Sequence, residues 1–273
     1  MESEKKYLKI TKDSDPLAYT VKEIKECGDG MGTIECREIE DLGGAREYYL
    51  PNSKGTYDDY WNRMRRSYMP NKYLEKTAKD FNWALYGTQY QNSIQEIKDV
   101  LNTYIKGFEE LAREGYGLYI SSAQHGSGKT LLGCVTASAI MKTANYISVK
   151  YTTVPDYLEF MKGKADQKIE KNQRYRDCTL LVLDEIGGNK TEWDKDILKN
   201  LITYRMSQQE PIIYISDCSI SKLTGDSQMI ALIDDMSKII ELPPVNVRHI
   251  LAEQRKKEKF EKAAQKQDNK KEF

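Results

Sequence analysis

Two groups of residues have the types and spacing for chemistry on a phosphate chain. The first is Ala123-Gln124-His125-Gly126-Ser127-Gly128-Lys129-Thr130, continued by Leu131. Gly126 and Gly128 allow backbone conformations and close approaches that a Cβ would block, so the N–H groups of the loop can wrap an anion. Lys129 then reaches the β- and γ-phosphates, and the Thr130 hydroxyl is a ligand for Mg²⁺. The spacing fits G-x-x-x-x-G-K-[ST] at every fixed position except the first, where Ala123 is the smallest departure from glycine. The second group is Asp184-Glu185, which ends the apolar run Thr179-Leu-Leu-Val-Leu183. Two adjacent carboxylates are expensive when buried unpaired, so they imply a polar or metal partner at the mouth of a sheet. Asp184 suits the Mg²⁺ shell and Glu185 suits general-base activation of an attacking water. Each group alone also fits a bland role, a glycine helix cap or a surface turn; their co-occurrence favours a nucleotide site.

The elements that must position these groups follow from periodicity. Gly117 to Ser121 reads as a strand and the alanine-containing apolar pattern after Lys129 as a helix, whose positive dipole end and unpaired N–H groups face the same anion. Tyr146 to Thr152 reads as a second strand, followed by a helix marked by Val154, Tyr157, Leu158 and Met161. The run before Asp184 is continuous enough for a central parallel strand covered on both faces. Glu192 to Gln208 reads as a helix with Trp193, Ile197, Leu201 and Ile202 inward, and Pro211 opens the strand Ile212 to Ser216. Gln228 to Lys238 reads as helix and Ile239 to Leu242 as a short strand before Pro243-Pro244. Strand and helix alternating five times predict an α/β domain with a five-stranded parallel sheet and its ligand at the strand ends. A polar residue ending the strand after Pro211 is placed to touch a γ-phosphate or the water; Asp217 and Ser216 both qualify, and either also fits a cap for the next turn.

Upstream, Asn92 to Leu111 reads as one amphipathic helix, with Ile97, Leu101, Tyr104, Phe108 and Leu111 on its apolar face. Asn71 to Tyr86 reads as an irregular connector, and Thr56 to Tyr68 as a helical stripe of Tyr60, Trp61, Met64 and Tyr68 edged by arginines. Before that the pattern is weak: Pro16 to Ile24 is consistent with a short helix. Cys27 and Cys36 resemble half a zinc knuckle, yet two thiolates do not close a tetrahedral site, and free cysteines in a small irregular domain are the alternative. After Asn246 a helix carrying Arg248 is expected to fade into a charged, frayed tail.

With 42 basic and 42 acidic residues among 273, the formal net charge is zero, but the distribution is uneven. Residues 1–60 carry 9 Lys/Arg against 14 Asp/Glu, whereas Tyr60 to Asp80 carries 6 against 2. Met161 to Arg176 is also basic, which fits an exposed helix or a contact to nucleic-acid phosphates. Five cysteines, an odd number, three of them in apolar segments, indicate a reducing compartment. No apolar run reaches membrane-spanning length and the N-terminus is too charged for a signal peptide, so the expected location is the cytoplasm, with no membrane partner.

With these residues in view, the chain from about Arg65 to Glu253 resembles the DnaC/DnaI-type replicative helicase loaders of the AAA+ ATPases, a family with phage-encoded members. The resemblance rests on Arg66-Ser-Tyr-Met-Pro70-Asn-Lys-Tyr73, Gly126-Ser-Gly-Lys-Thr130 with Leu131-Leu132, Leu183-Asp-Glu-Ile-Gly187, and Tyr204-Arg-Met-Ser followed by Pro211-Ile-Ile-Tyr-Ile-Ser. It implies an AAA+ P-loop ATPase fold with a reduced lid plus a small N-terminal domain. It implies ATP and Mg²⁺ as cofactors, held by residues 123–131 and by Thr130 with Asp184, and Glu185 as base. Asp217 becomes the first sensor, Arg248 the second, and Lys238, in Ser237-Lys238-Ile239, stands where the family has an arginine finger. The implied partners are a hexameric replicative helicase, single-stranded DNA and further copies of the ATPase domain. The implied layout is an N-terminal helicase-interaction domain over 1–55, a helical and irregular linker over 56–90, the ATPase domain over 91–250 and a charged tail over 251–273. Three departures stand out: only two candidate zinc cysteines, a lysine that lacks the planar two-point contact of a guanidinium at the finger position, and a carboxylate at the first sensor. Rival readings are a transposition-associated ATPase acting with a transposase on duplex DNA, a small-molecule P-loop kinase, and a scaffold with a degenerate site.

Overall fold

The computed structural model describes residues 6–9, 17–26, 32–39, 45–51, 60–163, 172–188 and 190–271, with side chains over 60–163, 172–188 and 190–262. The chain divides into two compact units, Met1–Arg66 and Ser67–Phe273. In the first, β1 (Lys6–Lys9), β2 (Leu17–Glu26), β3 (Gly32–Ile39) and β4 (Ala45–Pro51) form an antiparallel sheet in that order. The helix expected from Pro16 to Ile24 is therefore a strand. Tyr19, Val21 and Ile24 are residue types that favour strands, and pairing along the whole of β3 decides the matter. The register of β2 on β3 shifts by one residue between Val21 and Glu23, a bulge. Cys27 lies outside the described residues and Cys36 is a backbone member of β3.

The second unit is built on a wholly parallel sheet. Its strands are β5 (Gly117–Ser121), β6 (Val149–Thr153), β7 (Leu180–Asp184), β8 (Ile212–Ser216) and β9 (Ser237–Glu241), in the spatial order β6-β7-β8-β5-β9. Helices in this unit include α1 (Asn71–Leu74), α2 (Gln91–Lys106), α3 (Phe108–Arg113), α4 (Lys129–Met141), α5 (Val154–Lys162), α6 (Glu192–Ser207), α7 (Ser227–Asp235) and α8 (Val247–Lys271). Strands β5, β7 and β8 are buried along their whole length, which is why their sequences are apolar without alternation. One face packs Tyr119, Leu181, Leu183, Ile212 and Tyr214 against Tyr157 and Leu158 of α5, Leu198, Leu201 and Ile202 of α6, and Met229 and Ile233 of α7. The other is covered by α4, against which α2 lies. Gly133 lets α4 come close: a Cβ there would stand 2.6 Å from Cδ1 of Ile215.

Three boundaries and one side-chain orientation differ from the sequence reading. The single helix expected over Asn92 to Leu111 breaks at Gly107 into α2 and α3. Trp193 is 43% exposed rather than inward, because Thr191 and Asp194 form a capping box that buries Asp194 and turns its neighbour out. Helix α7 stops at Asp235, so Ser237 and Lys238 belong to β9. Helix α8 runs to Lys271 instead of fading, in a stretch of strong helix formers with ion pairs such as Lys256–Glu253 at 2.7 Å. Of the stretch read as a linker, residues 60–90 are described, and the part from Ser67 belongs to the second unit. No described helix is long and apolar enough to cross a membrane.

Arg205 on α6 is completely buried. Its Nη1 donates to the carbonyls of Tyr175, Arg176 and Cys178 at 2.8–2.9 Å and its Nη2 to that of Pro211 at 2.9 Å, so one guanidinium satisfies the chain leading into both β7 and β8. Truncation would orphan those carbonyls. Arg205→Ala is expected to cost about 3–5 kcal/mol of unfolding free energy in a urea titration, and Arg205→Lys to recover less than half of it, because an ammonium cannot span the same fork.

Candidate functional site: the C-terminal edge of the parallel sheet

The loop between β5 and α4 takes its shape from Gly126 (φ +75°) and Gly128 (φ +98°). Both are crowded as well as left-handed. A Cβ on Gly126 would stand 2.6 Å from Oδ1 of Asn246, and one on Gly128 would stand 3.2 Å from the Phe81 ring and the Tyr86 hydroxyl. Tyr86 donates to the Ser127 carbonyl, and Phe81, Trp83 and Tyr86 form an aromatic group with ring centroids 4.4–6.1 Å apart. The segment read as an irregular connector thus forms one wall of the loop. Gly128 caps α4 without a side-chain hydrogen bond to the helix, which leaves first-turn N–H groups directed at the loop's interior. Ala123 and His125 are exposed, Ser127 is buried, and Gln124 and Leu131 are half-buried.

Lys129 Nζ donates to the carbonyls of Ser122 (2.9 Å) and Gln124 (3.2 Å), folding back over the loop. Burial pushes its pKa down, and the carboxylates of Asp217 and Asp184 work against that shift. The Thr130 hydroxyl donates to Oδ2 of Asp184 at 2.9 Å, the contact that joins the two motifs. Asp184 is 4% exposed and satisfied on both oxygens: Tyr151 of β6 donates to Oδ2 at 2.8 Å, and the Glu185 N–H donates to Oδ1 at 2.8 Å. Glu185 is exposed and left-handed (φ +61°), a conformation that costs a non-glycine residue on the order of 1 kcal/mol. Partial burial and the neighbouring Asp184 raise its carboxyl pKa.

Because β8 lies between β5 and β7, its end stands between the loop and the acid pair. Ser216 is buried with its hydroxyl on the Ile186 carbonyl, while Asp217 is exposed beside Gly187. Arg248 at the start of α8 donates its backbone N–H to the Gly126 carbonyl at 3.0 Å, with its side chain exposed. Lys238 is not brought to this edge: it pairs with Leu118, three residues before the end of β9, and is exposed on the outermost strand. The sequence reading missed Tyr151, Tyr86 and Lys190, the last a half-buried lysine bonded to the Gly187 carbonyl. Only the register Thr153 opposite Asp184, which places Tyr151 two residues back on the neighbouring strand, reveals the first of these.

The residues fit a nucleoside triphosphate with Mg²⁺. Among the described residues no group of three or more His, Cys, Asp or Glu is arranged to hold a metal ion by itself. A hard cation held by one hydroxyl and one carboxylate, with phosphate oxygens and water completing six ligands, is the arrangement Mg²⁺ prefers.

No family model and no curated protein matches this chain. Solved structures do. A crystal structure of DnaI aligns at TM-score 0.53 and 20% identity over 68% of this chain and 99% of that one. The fold is shared with that structure. A crystal structure of the DnaC helicase loader aligns at TM-score 0.51 and 18% identity, over 63% of this chain and 99% of that one. A candidate primosome component from Streptococcus pyogenes serotype M3 gives 0.51 and 19%, over 66% and 94%. The fold is shared at identities that leave the chemistry to be argued from the residues.

Tyr151→Phe removes only the hydroxyl that reaches Asp184. It is expected to lower unfolding free energy by about 1.5–3 kcal/mol, the range for a hydrogen bond to a buried charge. Chemical denaturation at neutral pH measures this, and an unchanged midpoint would show that Asp184 is held otherwise.

Proposed function

We propose that this protein is an ATP-dependent loader of a replicative DNA helicase. The observation that supports it most is the 2.9 Å bond from Thr130 to Asp184 beneath a left-handed glycine loop, in a fold shared with the DnaC helicase loader. In this reading the loop amides and Lys129 hold the β- and γ-phosphates, Lys129 exchanging its two carbonyl partners for phosphate oxygens. Thr130 and Asp184 would hold Mg²⁺, which would supply neutralisation of the charge that develops during phosphoryl transfer. Glu185, exposed and with a raised pKa, orients and deprotonates the attacking water. Asp217 and Arg248 register whether a third phosphate is present, and Lys238, exposed on the outermost strand, reaches the site of a neighbouring copy.

ATP binding then favours assembly of ATPase domains and engagement of a hexameric helicase and single-stranded DNA, and hydrolysis releases the loader. Residues 1–55 form the helicase-interaction domain and the basic surfaces meet the DNA strand. Size-exclusion chromatography with a non-hydrolysable ATP analogue, with and without the candidate helicase, tests this. A nucleotide-dependent complex is expected, and co-elution indifferent to nucleotide would contradict it.

Two substitutions separate binding from turnover. Lys129→Ala is expected to abolish measurable binding of the analogue in a calorimetric titration. Glu185→Gln is expected to bind it normally while phosphate release falls by about 100-fold or more.

A further inference from the structure

The glycine that lets the loop approach a phosphate also leaves one of its peptide units able to turn over. Rotating the unit between Ser127 and Gly128 changes only ψ of Ser127 and φ of Gly128, and glycine accepts either sign of φ at little steric cost. In a trans peptide the carbonyl and the N–H point in opposite directions. One orientation therefore offers the Gly128 N–H to the interior of the loop, and the other offers the Ser127 carbonyl oxygen, which an anion repels. Gly128 is left-handed here (φ +98°). Its N–H donates to no acceptor among the described residues, and the Ser127 hydroxyl is buried without a partner among them. Two donors on consecutive residues thus call for an acceptor that the described residues do not supply.

The carbonyl side of that peptide is held. Tyr86 donates its hydroxyl to the Ser127 carbonyl, and the hydroxyl oxygen is 3.2 Å from where a Cβ on Gly128 would stand. Tyr86 is 1% exposed, its ring stacked on that of Phe81 (centroids 6.1 Å apart, planes at 19°) and 6.0 Å from that of Trp83. Its backbone is set by a short 3-10 helix, Trp83–Tyr86, which the Asn82 side chain caps by accepting the Ala84 N–H at 3.1 Å. Burial pushes the pKa of the hydroxyl up, so it stays protonated and remains a donor. The group that holds the peptide is therefore not part of the loop; it comes from 41 residues upstream.

We propose that Tyr86 is a positioning residue for phosphate recognition, which locks the peptide between Ser127 and Gly128 with its carbonyl outward and the Gly128 N–H toward a bound phosphate chain. The proposal rests on the nucleotide-binding reading above, and Tyr86 acts in it through the peptide, not by touching the nucleotide. Without the hydroxyl the peptide divides its time between two orientations, of which one accepts an anion. The apparent dissociation constant then rises by the reciprocal of the competent fraction. Phosphates select the competent orientation as they bind, so the bound loop is the same with or without the hydroxyl.

The test uses the full chain and Tyr86→Phe, which keeps the ring and removes the hydroxyl. Calorimetric titrations with Mg²⁺ and either a non-hydrolysable ATP analogue or inorganic tripolyphosphate are expected to show both ligands weakened about tenfold, as for a competent fraction of about one tenth. Nuclear magnetic resonance of the Gly128 amide supplies a readout that lost packing alone would not reproduce. In wild type the Gly128 amide proton is expected to move downfield when the analogue is added, as it gains a hydrogen bond to phosphate, an arm that depends on no variant folding. In Tyr86→Phe it is expected to start from a different position and to reach the wild-type bound position at saturation. Unchanged affinity in Tyr86→Phe, a loss for the analogue but not for tripolyphosphate, a bound position unlike that of wild type, or a wild-type amide that does not move downfield would overturn the role of Tyr86. A wild-type chain that binds neither ligand would instead overturn the nucleotide site itself.

Discussion

One carboxylate oxygen organises the functional edge of this protein. Oδ2 of Asp184 receives the Thr130 hydroxyl from the helix after the glycine loop and the Tyr151 hydroxyl from the neighbouring strand. A buried carboxylate is tolerable only when satisfied in this way. The requirement fixes three elements relative to one another: α4, whose first turn faces the loop, β7, which ends at the acid pair, and β6, which supplies the tyrosine. The same oxygen is where a hard cation would bind, so the group that stabilises the apo edge is also the group the cation would recruit.

The rest of the edge is similarly pre-arranged. Lys129 is held over the loop by two backbone carbonyls and lies partly out of water, so phosphate oxygens would replace existing partners instead of ordering a free side chain. Gly126 and Gly128 are crowded by Asn246 and by the Phe81 ring and the Tyr86 hydroxyl, so the loop is braced on two sides by segments remote in sequence. Glu185 is left-handed and exposed, and partial desolvation together with the neighbouring Asp184 raises its carboxyl pKa.

Much of this edge could be read from the sequence because it is encoded locally. The glycine loop is a contiguous run, and the apolar stretch before Asp184 can only be an interior strand. The parallel sheet followed from alternation, and its five strands lie within a few residues of where periodicity put them. The order β6-β7-β8-β5-β9, which sets Asp217 between loop and acids, is a property of long-range pairing and has no local signature. Tyr151 and Lys190 escaped for the same reason, since each acts on a group more than two residues away through a register or a turn. The N-terminal strands were missed because a short segment with Tyr19, Val21 and Ile24 fits either element until its partner strand is known. Trp193 was misplaced because the capping box at Thr191 and Asp194 outweighed a hydrophobic pattern.

The central claim is that a divalent cation and a triphosphate are held jointly by Thr130, Asp184 and the glycine loop. Replacing Mg²⁺ by Mn²⁺ makes that cation visible to electron–nuclear double resonance. The account predicts Mn²⁺ that is retained only together with a nucleoside triphosphate, shows phosphorus couplings, and is lost in Asp184→Asn. Mn²⁺ bound equally well without nucleotide, or retained with unchanged phosphorus couplings in Asp184→Asn, would contradict it.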